Sequence, residues 1–190
     1  MSLLAIAPAA IENLWMETQT VGFNMPSDPL TCSLLRTLAA SKPGGDFLEL
    51  GSGTGLSTAW MLDGMDASAT LTTVDNDPYL LSILIRHLGD DARLKVICDD
   101  GDAFLKSHQA ERFDFIFADT WSGKYRLLNE ALNMVKPGGF YVIDDMLPQA
   151  NWPQGHAQKV EHLLKTLNDL QGWHLSQLDW ASGVVVAVRR

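Results

Sequence analysis

The side chains with chemical potential sit at short, ordered stations along the chain. The first is the segment Phe47-Leu-Glu-Leu-Gly-Ser-Gly-Thr-Gly55, in which Glu49 precedes a turn made of Gly51, Ser52, Gly53 and Gly55. Glycines at this spacing remove side chains where a turn is tight and where a ligand must touch backbone. A helix starting just beyond turns its N-terminus into the same crevice. A nucleotide-like ligand suits such a turn. Pyrophosphate-binding turns read GxGxxG, whereas this one reads GxGxG, so the ligand need not be a dinucleotide. Asp75 follows 24 residues after Gly51, where a carboxylate can accept both hydroxyls of a ribose. Asp102, within Cys98-Asp-Asp-Gly-Asp-Ala-Phe-Leu105, is placed to accept from an exocyclic adenine amine.

A second group consists of Asp119 and the pair Asp144-Asp145, each expected at the end of a strand. Three carboxylates sharing one crevice repel one another unless a cation joins them, and a hard divalent ion such as Mg2+ or Ca2+ is the natural one. Capping or solvated carboxylates without metal are the alternative. Lys124 is a basic side chain in the following loop, where a solvated surface group is the ordinary reading. His156 is read as a solvated loop residue within reach of a substrate. His87, His108, His162 and His174 form no site pattern.

The elements that must position these residues follow from periodicity. Apolar, β-rich runs recur at 46–50, 70–74, 93–97, 113–118 and 140–144, alternating with helical stretches, which means a parallel sheet. Asp77 followed by Pro78 predicts a helix start, with Leu80, Leu81, Leu84, Ile85 and Leu88 on one face. Leu127, Leu128, Ala131, Leu132 and Val135 repeat the pattern before the breaker Pro137-Gly138-Gly139, and Val160, Leu163, Leu164, Leu167 and Leu170 mark another helix. The strands expected at 173–178 and 184–188 are joined by only five residues, too few for a crossover helix, so they should pair antiparallel. Helices are expected at 11–17 and 28–40, with a loop over 20–27.

Length favours one domain over 1–190: an N-terminal helical segment, 1–42, covers the substrate side of a core, 43–190. A net charge of −9 with 14 scattered Lys and Arg leaves no basic stripe for a phosphate backbone, so nucleic acid is not an expected partner. Two cysteines, Cys32 and Cys98, make neither a disulfide framework nor a zinc pattern, and both are read as buried thiols in a reducing compartment. The start MSLLAIAPAA lacks the basic residue of a secretory signal, and no apolar stretch reaches membrane-spanning length. A cytoplasmic protein without membrane partners is expected.

Taken together, Glu49, the three glycines, Asp75 and Asp102 resemble the S-adenosylmethionine (SAM) motifs of the class I methyltransferases. From about Met25 to Arg190 the chain further resembles the catechol and caffeoyl-CoA O-methyltransferase family. That resemblance implies a Rossmann-like α/β methyltransferase sheet, mostly parallel with a C-terminal antiparallel hairpin and helices on both faces. It also implies metal ligation by Asp119, Asp144 and Asp145, and places Trp121 near the adenine. The ending Ser182-Gly-Val-Val-Val-Ala-Val-Arg-Arg190 is similar to the family's last strand. Two departures stand out. The family's Asp-Asn pair is Asp144-Asp145 here, and its lysine three residues after the first metal Asp, thought to take the hydroxyl proton, is Ser122, with Lys124 two residues later able to swing in from the loop as the base. The expected activity is O-methylation of a small phenolic or catechol-like acceptor. Metal-independent transfer and a non-catalytic SAM-binding module remain open, as does a homodimer. The acceptor pocket is expected from Asn24, Met25 and the loop 146–156.

Overall fold

The computed structural model describes residues 7–149 and 152–190. The segment 1–6 and residues 150–151, parts of the expected N-terminal segment and acceptor loop, lie outside the described residues. In chain order the elements are α1 (Ile11–Thr20), α2 (Pro29–Ala40), β1 (Asp46–Leu50), α3 (Leu56–Gly64), β2 (Thr70–Asp75), α4 (Pro78–Leu88), β3 (Leu94–Cys98), α5 (Gly101–Ser107), β4 (Phe113–Ala118), α6 (Leu128–Asn133), β5 (Val135–Ile143), α7 (His156–Asn168), β6 (Trp173–Leu178) and β7 (Val184–Arg189). The seven strands form one sheet in the order β3-β2-β1-β4-β5-β7-β6. The first five pair parallel, β7 pairs antiparallel with both β5 and β6, and the expected hairpin is present.

Strand alternation sends side chains to two cores. Phe47, Phe115, Phe117 and Val142 pack with α1 to α4 on one face. Leu48, Leu50, Ile116, Tyr141 and Ile143 pack with α5 to α7 on the other. Each fully buried apolar side chain contributes about 1.5–3 kcal/mol, so a continuous apolar layer on both faces forces the sheet to the centre. α3 is buried along nearly its whole length, from Leu56 to Leu62, because α2 packs against it. Asp28 and Asp77 cap their helices, accepting from Leu30 N at 2.7 Å and Tyr79 N at 2.9 Å.

Three departures from expectation have clear causes. β5 begins at Val135, before the breaker, and the pairing with β4 shifts from Phe113–Val135 to Phe115–Phe140. Pro137 has no N–H for the ladder and Gly138 has φ +76°, so these residues bulge out of the strand without ending it. Cys98 is exposed at the end of the edge strand β3, contrary to the buried reading, while Cys32 is buried. β3 spans 94–98 and not 93–97, because Arg93 N donates to the Asp91 carboxylate and Leu94 N to the Asp91 carbonyl, both at 3.0 Å, holding 91–94 in a turn. Among the described residues no helix is long and apolar enough to cross a membrane.

Strand order reverses between β1 and β4, so their carboxyl ends open a crevice at the position where ligands bind in doubly wound sheets.

Candidate active site

A cavity of about 730 Å3 fills that crevice. It is lined by the glycine turn, Asp75, the 99–101 backbone, residues 119–126, Asp144 and Asp145, with Phe23 to Asp28 on one side and Gln149, Trp152 and His156 on the other. The segments expected to shape an acceptor pocket do border it.

The turn after β1 is held in left-handed conformations at Gly51 (φ +90°), Gly53 (+52°) and Gly55 (+99°). A Cβ at Gly51 would lie 2.8 Å from the Asp119 carbonyl oxygen, one at Gly53 2.8 Å from the Phe23 ring, and one at Gly55 2.8 Å from Leu84. The glycines therefore bring β1 against β4, admit the 20–28 segment, and seat α3 on α4. No side chain caps α3, leaving its first N–H groups toward the crevice. Ser52 is buried and lines the cavity, its hydroxyl without a partner among the described residues. Asp75 borders the cavity, accepting from Gly53 N at 2.8 Å and Asp77 N at 3.0 Å, and each carboxylate oxygen retains a further lone pair. These features leave an unpartnered hydroxyl and a carboxylate with free lone pairs at the crevice.

Two residues expected at the ligand do not border the cavity. Glu49 does not border the cavity. It is fully buried on the face toward α3, accepting from Ser57 (2.6 Å), Thr58 (2.5 Å) and Thr73 (2.6 Å). Burial raises its pKa and the three hydroxyl bonds oppose that rise. Its role is to tie β1, β2 and α3 together beneath the turn. Asp102 is likewise turned away. It accepts from Ser122 Oγ at 2.6 Å and pairs with Arg126 Nε at 2.7 Å. Asp100 caps α5 through the Asp102 and Ala103 N–H groups, both at 3.0 Å, which puts Asp102 in the first helical turn beside the 119–126 loop. Residues 99–101 border the cavity in its place.

Asp119 accepts from Ser27 Oγ at 2.7 Å. Asp144 Oδ1 accepts from Ser182 Oγ, from Thr31 Oγ1 at 3.4 Å and from Asp145 N at 2.8 Å. Asp145 itself adopts φ +59°, a conformation costing an ordinary L-residue about 1–2 kcal/mol and most easily borne by Asn and Asp. Among the described residues no three His, Cys, Asp or Glu side chains assemble into a group fit to hold a metal ion. Asp119, Asp144 and Asp145 thus do not form such a group among the described residues, and hydroxyls meet one oxygen of Asp119 and one of Asp144. Lys124 supplies the cation, buried to 4% exposure at the cavity wall and lowering the pKa values of both Asp119 and Asp144.

That cation does not fully offset the burial of two carboxyls. Burial, then the Asp144 charge, holds Asp119 well above the usual carboxylate range, and burial lifts Asp144 to about 6. Because the folded value exceeds the unfolded one, the stability linked to protonated Asp144 is present below pH 3.8 and is lost as pH rises through about 6. Asp144→Asn keeps the Oδ1 acceptor and removes the charge. It should be more stable than wild type by about 1–3 kcal/mol at pH 8, with the gap closing near pH 4. Urea denaturation at both pH values checks this, and an equal gap at both would contradict it.

The remaining wall is aromatic. Trp121, Tyr125 and Trp152 converge on His156, with ring centroids 6.1, 5.3 and 4.6 Å from the imidazole, and Lys159 Nζ lies 3.9 Å from the Trp121 centroid. His156 is only 7% exposed, so the solvated-loop reading is corrected: it opens α7 inside the aromatic cluster. Tyr125, Trp152, Ser27 and Ser182 were not anticipated. Trp121 borders the cavity.

A methyltransferase-domain family model matches residues 48–146. An O-methyltransferase from Bacillus cereus, solved in complex with SAH, superposes with a TM-score of 0.82 at 19% identity, covering 96% of this chain and 91% of that one. TomG, an O-methyltransferase from Streptomyces achromogenes solved in complex with SAM, gives 0.80 at 16% identity, covering 95% and 89%. At these identities the likeness establishes the fold. A Mycobacterium avium protein named by inference as an O-methyltransferase is 27% identical over 120 residues, 60% of this chain and 54% of its own length. The chain thus spans about half the length of the curated relatives it matches.

Proposed function

The chain belongs to the methyltransferase-domain family, and on that premise we propose that it transfers a methyl group from SAM to an oxygen of a small hydroxylated, phenol- or catechol-like acceptor. The observation that carries this reading is one continuous cavity joining the glycine turn and Asp75 to an aromatic wall with a buried lysine. The SAM- and SAH-bound neighbours of the same fold support the choice of cofactor.

When bound, SAM supplies a methyl group already activated on a sulfonium. The glycine turn and the start of α3 would hold its methionine end, Asp75 its ribose, and the 99–101 backbone with Trp121 its adenine. The protein must then hold an acceptor oxygen in line with the methyl group and help it lose a proton. Tyr125 and Trp152 would flank the acceptor ring. The Lys124 ammonium, in a site shielded from water, would favour the ionised acceptor oxygen. Lys124 is the buried cation that lowers the pKa values of Asp119 and Asp144, and metal-independent transfer is the form proposed.

The test is a labelled-methyl assay over phenolic, catecholic and carboxylic acceptors with and without chelator. Transfer to a hydroxylated acceptor that survives excess chelator is expected. Transfer abolished by chelator and restored by Mg2+ would overturn the metal-independent form, and SAM binding without turnover on any acceptor would favour a binding module.

A further inference from the structure

His156 has features that packing alone does not demand. It stands at the first position of α7, behind the left-handed Gly155 (φ +83°), and is enclosed by Trp121, Tyr125 and Trp152. Its Nε2 lies 3.2 Å from the Tyr125 hydroxyl, while its Nδ1 is buried and has no hydrogen-bond partner among the described residues. Buried polar atoms are paired in the great majority of cases, and an exception needs a reason. Both residues border the cavity on its acceptor side, together with Lys124.

We propose that Tyr125 and His156 form a proton relay that deprotonates the acceptor hydroxyl, an inference that rests on the methyl-transfer reading. The acceptor O–H bond breaks as its proton passes to the Tyr125 oxygen, and Tyr125 gives its own proton to His156 Nε2. The acceptor oxygen takes the methyl carbon, the S–C bond breaks with its electron pair left on sulfur, and the imidazolium releases its proton to solvent afterwards. No metal or further co-reactant enters the balance.

Charge around the pair suits this role. Burial, then the Lys124 and Lys159 ammonium groups, hold His156 below the usual histidine value, with the Asp145 carboxylate opposing them. Burial, then Asp145, pushes Tyr125 up to about 12. At neutral pH the pair is therefore a phenol beside a neutral imidazole. For Tyr125 to donate to Nε2, the ring proton must sit on Nδ1, which the unpaired position permits. Trp121 and Trp152, the other rings in the cluster, do not titrate.

The test combines kinetics on the full chain, with SAM and catechol, and a ring-tautomer measurement. Tyr125→Phe and His156→Gln should bind SAM as wild type does and lose about 100-fold or more in kcat. The wild-type acid limb, with a midpoint below the ordinary histidine value, should vanish in His156→Gln. Variants within threefold of wild type, with the acid limb intact, would overturn the relay and leave the methyl-transfer reading standing. A wild type that does not bind SAM would overturn both. If SAM binds and catechol is not methylated, the 15N shifts of His156 decide. A neutral ring protonated at Nδ1 at pH 7, changing its shifts in Tyr125→Phe, supports the relay, whereas an Nε2–H or charged ring overturns it.

Discussion

Glu49→Ala is expected to remove about 3–5 kcal/mol of stability, because it empties a buried site and strips three buried hydroxyls of their charged acceptor. Ser57 and Thr58 belong to the first turns of α3 and Thr73 to β2, so the loss falls on the contact that seats the glycine turn. A small domain is stable by about 5–15 kcal/mol, so such a loss is a large share of the total. Glu49→Gln, which keeps one acceptor oxygen and much of the volume, should cost less. Chemical denaturation of both variants checks the order. An Ala variant within about 1 kcal/mol of wild type would mean that the hydroxyls find other partners and that Glu49 does not anchor the turn.

The second large effect is on ligand affinity. Asp75→Ala should weaken SAM binding by about 1.5–3 kcal/mol, the scale of a lost hydrogen bond to a charged group. Part of that loss would come through the protein itself, since Asp75 also fixes Gly53 N at 2.8 Å. Asp75→Asn keeps one acceptor oxygen for that bond and lacks the charge, so it separates the two contributions: affinity near wild type would assign the effect to turn geometry. Calorimetry on the three proteins gives the answer, and unchanged affinity in Asp75→Ala would remove Asp75 from the site.

The strand ends were legible because each joins two independent signals, an apolar run and a terminal Asp or Gly. Asp75, Asp119 and Asp144 accordingly lie at the cavity. The antiparallel pair β6–β7 was legible from the brevity of its link. What sequence pattern does not carry is the direction in which a side chain turns at those ends. Glu49 and Leu50 are neighbours, and strand alternation alone sends Glu49 into the α3 face and away from the crevice. Asp102 and Asp100 are equally acidic, and helix capping by Asp100 decides which of the two borders the cavity. Charge counting suggested a metal among Asp119, Asp144 and Asp145. The hydroxyls of Ser27, Thr31 and Ser182, which meet Asp119 and Asp144 from distant segments, have no linear signature. The Tyr125–His156 contact spans 31 residues and could be found only in three dimensions.

The central claim is that the crevice between β1 and β4 is a SAM site, and the most direct measurement is a calorimetric titration of the full chain with SAM, SAH and NAD. The account predicts saturable binding of SAM and of SAH, weakened in Asp75→Ala, with no binding of NAD. Saturable binding of NAD with none of SAM would contradict it.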